Sequence, residues 1–523
     1  MKMYRGPFVA MQSVVNERND EQVNSGTEAD VRDMRRMGKQ QELNRNFKGW
    51  GALFGFSLIL GNAWVVCMVT SIFGLTNGGT AGTIWMFIVV ACGMFCSTLS
   101  MAEMASIAPT AGDQYHWVSE FSPPKHQKYL SFLVGWMCVL GWQTAMSASA
   151  YTPALTIQGL IALSDETYTL PGWHAFLLTL AILFISIVIN ITMIRKLPML
   201  EGLMIVIFFC SFGNILIVLW VKGEKSSAED VFTKFSDNAG WGSVGLATLI
   251  GGLQGGFSSL MGSDSAAHLS EELKDASYYL PRSMVYTALA NYTTGIVTII
   301  TLMFTLGGSA EELTSTRLGQ PYIQVFYNAT KSVTGASVIT ALIALLLIFT
   351  AINQVTTTSR QLYAFARDGG MPYSGFIGRV HPKWNLPINS LIVTLLFTFM
   401  IAFIIIGSSV PFNIITTLSS ASLLTSYIIC TGCMLWKRTC DKANLPKGRF
   451  DLGCCGRYIN CAALLFQIVI FVVLFFPSMP HPTASSMNWT ILIYGVTFTG
   501  STIYYFLTAR HQYLGPVEHI EKD

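Results

Sequence analysis

Charge is what this chain has least of. Asp, Glu, Lys and Arg make up 12% of its 523 residues, against roughly 25% in an ordinary soluble domain. So little charge cannot cover a water-facing surface of this size, and 52% of the residues are hydrophobic. The net charge is only +3, which excludes the strongly basic footprint of a nucleic-acid binder. Catalytic signatures are missing too. There is no His-x-x-x-His helix, no Gly-x-Ser-x-Gly turn and no phosphate loop, so no enzyme activity, cofactor or metal site is read from the sequence. Gly251-Gly252-Leu253-Gln254-Gly255-Gly256 lacks the strand context of a dinucleotide fingerprint. The first ~48 residues contain no apolar run of signal-peptide type, so insertion is expected to rely on the first true span.

The 11 cysteines do not form a secreted framework. Cys67, Cys92, Cys96, Cys138, Cys210, Cys430, Cys433 and Cys461 lie in or beside apolar runs, and Cys440, Cys454 and Cys455 in a basic loop. None falls in an expected external loop, so no structural disulfide is expected. Cys430-x-x-Cys433 has the spacing of a redox or metal pair, but its apolar setting makes it small packing bulk.

What fills the chain is long apolar runs. A span needs ~20 mainly apolar residues. About twelve are found, with approximate cores at 51–73, 83–105, 129–158, 174–194, 202–221, 241–262, 284–307, 337–359, 388–408, 411–436, 461–477 and 489–507. Charge tests the count. With a cytoplasmic N-terminus, only Lys222, Lys225, Lys234, Arg317 and Lys331 fall outside, and the rest of the 32 Lys and Arg lie inside or in the tails. Such a split is what retention of Lys and Arg on the cytoplasmic side produces. The expected organisation is a cytoplasmic tail (1–48), a ten-helix transport core (49–437), a basic cytoplasmic loop (438–460), two accessory helices (461–507) and a cytoplasmic C-terminal tail (508–523). Thr27 to Phe47 reads as a solvated tail, with a short amphipathic helix as the alternative. Sequons at Asn328 and Asn488 fall in expected external segments and are candidate glycosylation sites, whereas those at Asn190 and Asn291 lie inside spans. Surface glycosylation would suit a plasma-membrane protein; a vacuolar or other internal membrane is the alternative.

The most informative stretch is Gly240 to Glu272. An apolar run is interrupted by Gly251-Gly252 and Gly255-Gly256, and then leads directly into Asp264, His268, Glu271 and Glu272. Interrupted spans mark substrate sites in secondary transporters. The first span has a counterpart at Gly61-Asn62-Ala63-Trp64, five spans earlier, so a five-plus-five inverted repeat fits, with spans eleven and twelve added. The competing reading is that glycine and serine serve only close helix packing. A broken helix exposes N–H groups suited to a carboxylate and C=O groups suited to an ammonium. Gly61, Asn62, Ala63, Trp64, Gly256, Phe257, Ser258 and Ser259 are therefore the candidate binding residues, with the two aromatics able to close over a solute. Glu103 and Asp264 are the carboxylates nearest span cores and are candidates for proton coupling or an inner gate. A structural role, with loop backbone or a basic partner, is the alternative for both.

Three stretches carry a family resemblance: Ser100 to Trp117 (SMAEMASIAPTAGDQYHW), Met261 to Pro281 (MGSDSAAHLSEELKDASYYLP) and Ser359 to Pro372 (SRQLYAFARDGGMP). With their spacing, the chain resembles the amino acid–polyamine–organocation transporters, especially the fungal GABA, choline and amino-acid permeases. The resemblance implies an all-α membrane fold of twelve transmembrane helices, with a five-plus-five inverted repeat and two additional C-terminal helices. It also implies alternating access driven by a proton gradient. It maps Gly61 to Trp64 and Phe257 to Ser259 onto the two breaks, Asp264 onto the acidic position that follows, and Arg360, Arg367 and Asp368 onto a latch. One position departs from the pattern: Asp113 stands where the family usually has glycine. The expected partner is a small amine or amino acid such as GABA, with a co-transported proton and membrane lipid. A choline, organocation or polyamine permease is the alternative, as is a nutrient sensor that binds without translocating. The absence of a clear cation-pairing carboxylate among the candidate residues favours a zwitterion.

Overall fold

The computed structural model describes residues 26–516 except 40, 44, 46, 48, 49, 194, 195, 383, 385, 408–410, 484–486 and 514. Among them the structure is helical throughout, with three isolated bridges and no strand. Among the described residues, ten helical segments are long and apolar enough to cross a membrane, one of them the jointed Trp50–Thr76, and Val244–Leu260 and Ile388–Ile404 are shorter apolar helices. Taken in chain order, these supply the twelve expected spans.

Span one is two helices, Trp50–Gly61 and Ala63–Thr76. Spans two to five are Gly79–Ile107, Gln127–Ser164, Gly172–Thr192 and Leu197–Lys222. Spans six to ten are Val244–Leu260, Ala276–Phe304, Val333–Arg367, Ile388–Gly407 and Pro411–Cys440. Span eleven is Gly456–Leu474, starting earlier than its apolar core. Span twelve begins as Thr490–Tyr504 and continues through a π turn to Gln512.

Packing partners repeat between the first and second sets of five. Span two lies on span seven, and span three on span eight. Contact of one with seven is matched by six with two, three with four by eight with nine, and three with nine by eight with four. Each pair maps onto the other when a span is exchanged for the one five places away. Five is odd, so exchanged spans run in opposite directions, as an inverted repeat requires. Spans eleven and twelve pack on span ten, outside this scheme.

The glycine pairs of span six correct the expectation that they break it. All four lie within the continuous helix Val244–Leu260. A Cβ on Gly251 would stand 2.4 Å from the Phe73 carbonyl, one on Gly252 2.4 Å from Met86, and one on Gly255 3.0 Å from the Thr70 carbonyl. They let span six lie against spans one and two, the packing use of small residues. The interruption comes later, where Met261 is extended and Gly262 takes φ +94°. The chain then forms a short 3₁₀ turn, Ala267–Glu272, before span seven.

The N-terminal segment is not a solvated tail. Thr27 and Asp30 form a reciprocal cap on the helix Glu28–Arg36. Asp30, Met34, Met37 and Leu43 are buried, and the Asp30 carboxylate accepts from the Asp275 and Ala276 backbone at 2.9 and 3.0 Å. The segment lies across one end of the bundle, called below the N-terminal face.

Candidate functional site

Asn62 sits at φ 40°, ψ 42°, a left-handed conformation that ends the first half of span one. The freed backbone groups are met by side chains from spans seven and eight. Asn291 accepts from the Ala63 N–H at 3.0 Å and donates to the Leu58 carbonyl at 3.4 Å. Thr350 donates to the Ile59 carbonyl at 2.8 Å, and Asn353 to the Phe56 carbonyl at 3.2 Å. The Asn62 amide donates to Thr350 at 3.2 Å. An unwound backbone inside a helix bundle persists only with such partners. At the second break, Tyr292 donates to the Leu260 carbonyl at 3.4 Å and Thr98 to Ser263 at 2.9 Å.

Between the breaks lies a cavity of about 130 Å³. Leu60 and Gly61 line it from span one, and Ser258, Met261 and Gly262 from the end of span six. Trp142, Ser149 and Thr152 come from span three, Thr350 and Gln354 from span eight, and Thr416, Ser419 and Ser420 from span ten. Its polar character is therefore hydroxyl and amide. Among the described residues lining it there is no carboxylate or basic side chain, and Trp142 is the one aromatic. Away from the N-terminal face, a second cavity of about 650 Å³ is lined by Thr76, Asn77, Tyr151, Gln158 and Gln320. Val69 borders both.

The N-terminal face is closed by ion pairs. Arg367 grips Glu271 with two bonds of 2.9 and 2.7 Å. Arg360 donates to Glu272 at 2.9 Å, both side chains being buried. Lys39 of the N-terminal segment reaches Asp368 at 2.7 Å, which also accepts from the Tyr115 hydroxyl at 2.8 Å. Tyr363 donates to Glu42 at 2.5 Å, and Arg36 to Glu120 at 2.8 Å. Burial alone would raise the Glu271 carboxyl, but Arg367 outweighs it and the net shift is downward. Burial likewise opposes ionisation of Asp368, and Lys39 with Arg367 brings it below its usual value. Both are therefore held as anions by their basic partners.

The candidate residues divide between lining and support. Gly61 and Ser258 border the cavity. Asn62 and Ala63 hold the break in place. The Trp64 ring packs edge-on against Phe208 and Phe212, away from the lining residues, and Phe257 is buried. Gly256 would place a Cβ 3.1 Å from Val90, and Ser259 meets Thr70 at 2.6 Å, so both serve packing. Glu103 pairs with Arg438 and accepts from the Leu452 N–H at 3.2 Å, which ties the 441–455 loop to span two. Asp264 is fully buried and accepts from Gln114 at 2.6 Å and Tyr427 at 2.7 Å. Asn328 and Asn488 lie at the far face, their amides donating to the Gly307 and Leu474 carbonyls. Asn190 and Asn291 are buried and bonded within the bundle. Sequence reasoning missed most of the cavity wall. Ser149, Thr152, Thr416 and Ser419 are single hydroxyls in apolar helices, and only the fold turns them to one point.

A twelve-span bundle with two interrupted helices meeting at a small polar cavity is the architecture of a secondary transporter. Comparison with known proteins agrees: residues 52–498 match the amino acid permease family, and the chain belongs to it. It is 30% identical, over 84% of its length and 96% of the relative's, to a Macrophomina phaseolina chain that carries the name of an amino acid/polyamine transporter. It is similar to the choline transporter of Saccharomyces cerevisiae, at 27% identity over 89% of this chain and 81% of that one. An Arabidopsis thaliana amino-acid permease, BAT1, is also 27% identical, over 93% and 96%. The chain is a multi-pass membrane permease.

Proposed function

We propose that the chain moves a small zwitterionic amine, an amino acid or GABA, by alternating access, with a proton as the driving ion. The observation that carries this reading is the 130 Å³ cavity between the two breaks. A cavity of this size suits a small solute such as an amino acid. An organocation such as choline is held by an aromatic cage, whereas this lining supplies a single ring, Trp142, and many hydroxyls. Peptide groups at the breaks then meet the carboxylate and ammonium of the solute. The Lys and Arg distribution favours an N-terminal face in the cytoplasm. In that orientation the larger cavity opens outward, the inner face is shut, and a plasma-membrane site of uptake fits. The ten-helix core carries transport, and Arg360, Arg367 and Asp368 act as the inner latch.

The test is uptake into proteoliposomes from a panel of labelled glycine, alanine, GABA and choline, with an acid-outside gradient. Accumulation of a small zwitterion, abolished by a protonophore, is expected. Accumulation of choline alone, or saturable binding with no accumulation of any solute, would contradict the reading, the latter in favour of a sensor.

A further inference from the structure

Below Trp142, on the N-terminal side of the cavity, three side chains meet that the transport reading does not use together. Asp113, Asp264 and His268 are each fully buried, and one ligand atom from each lies within 4.8 Å of the others. Asp113 comes from the connector after span two, and the other two from the connector after span six.

Three observations single this cluster out. Asp113 adopts φ 52°, ψ −127°, a conformation that favours glycine, yet an acidic side chain is kept there. No hydrogen bond of acceptable geometry reaches either Asp113 oxygen, although the residue is sealed from solvent. An unpartnered buried carboxylate is costly. Finally, the His268 Nδ1 faces the Ala111 carbonyl at 3.3 Å. A carbonyl can only accept, so Nδ1 carries the hydrogen, and the Nε2 lone pair of the neutral ring points at Asp113 Oδ2. Those two atoms are 3.5 Å apart. That is long for a hydrogen bond. It matches the edge of a tetrahedral metal site, where bonds of about 2.0–2.2 Å set neighbouring ligand atoms roughly 3.3–3.5 Å apart. Among the described residues, no Lys or Arg pairs with any of the three. Two carboxylates and an imidazole lone pair thus converge, and Gln114 and Tyr427 hold the Asp264 carboxylate in place, as supporting residues do around a metal.

We propose that Asp113, Asp264 and His268 form a buried site for a divalent transition-metal ion. Two carboxylate oxygens and one imidazole nitrogen are the donor set of Zn²⁺ or Mn²⁺ rather than of Ca²⁺ or Mg²⁺. A metal there ties the connector after span two to the connector after span six. It therefore holds the N-terminal face shut, one ring from the cavity floor, since His268 packs edge-on against Trp142 at 5.1 Å. Bound metal is an inhibitor of turnover on this account.

The test uses the purified full-length chain carrying Cys454→Ser and Cys455→Ser, which removes the exposed adjacent thiols as a competing site. The protein is stripped with chelator, dialysed against Zn²⁺ and assayed by elemental analysis and thermal melting. One equivalent of retained Zn²⁺ and a raised Tm are expected. Retained Zn²⁺ should fall at least tenfold, and the metal-induced rise in Tm should vanish, in His268→Ala and in Asp113→Gly. The glycine variant relieves the backbone strain, so its loss of metal cannot be laid to misfolding if its metal-free Tm is unchanged or higher. Zn²⁺ should also slow uptake by the parent and not by Asp113→Gly. Less than a tenth of an equivalent on the parent, or equal binding by Asp113→Gly, overturns the proposal. So does an altered pH profile of uptake in Asp113→Gly when neither protein binds Zn²⁺, because the acceptors then share a proton instead.

Discussion

The two ends of the transport path are built differently. At the far end, span one and its neighbours spread around a 650 Å³ cavity lined by Asn77, Gln158 and Gln320. At the N-terminal end, Arg360–Glu272, Arg367–Glu271 and Lys39–Asp368 cross between spans six, eight and the N-terminal segment with little solvent among them. The far end is held by surfaces that can part without stranding a charge. The near end cannot open until several buried pairs separate. Removing one partner of such a pair is expensive, because the other is left buried and alone. Closure at one face is therefore stored in charge, and openness at the other in shape.

The largest blow to this contrast should come from Arg367→Ala, which removes both guanidinium hydrogen bonds from the fully buried Glu271 carboxylate. A loss of about 3–5 kcal/mol is expected, measured as a fall in Tm and as reactivity of the N-terminal face toward impermeant labels. Unchanged stability would dissolve the contrast. Next is Gly262→Val. The position has φ +94°, and a Cβ there would meet Leu60 at 3.3 Å. Backbone strain of about 1–3 kcal/mol at the second break should cut uptake at least tenfold while surface expression persists. Lys39→Ala is smaller. Asp368 keeps its Tyr115 bond and the nearby Arg367 charge, so a cost of about 0.5–1.5 kcal/mol, the net worth of one hydrogen bond, should appear as faster hydrogen exchange over 28–36. Smallest is the effect of pH on these ion pairs. The Glu271 and Asp368 carboxyls lie below their ordinary values of 4.5 and 3.8. Their contribution is fully present above those values and is lost as pH falls through the lowered ones. Glu271→Gln and Asp368→Asn should thus leave the shape of the uptake profile between pH 5 and 8 unchanged; a shift there would place these pairs in the coupling machinery.

Much of the fold was legible because lipid demands unbroken apolar length and Lys and Arg sort by side. All twelve spans could be placed from composition. The first break was visible at Gly61-Asn62, where an amide interrupts an apolar run. The second was misplaced by several residues. Gly251 to Gly256 carry the signal of a breaker but serve close packing, and the turn itself needs only Gly262. Trp64 illustrates a different limit. Adjacency to a break does not say where a ring points, and helix geometry sends this one to Phe208 and Phe212. The docked N-terminal helix was hidden because a polar segment looks the same whether water or a charged bundle end receives it. Its cap residues, Thr27 and Asp30, were the available clue. Asp113 stands out in the sequence as a departure from the family pattern, but only the fold sets it beside Asp264 and His268.

The account turns on the cavity between the breaks being where solute rests, and Ser258 borders it. Alkylation of Ser258→Cys by an impermeant thiol reagent, in a background cleared of exposed native thiols, tests this directly. Labelling should proceed from the far face and slow at least tenfold when small neutral amino acids and GABA are supplied. Labelling that ignores every solute the chain transports would contradict it.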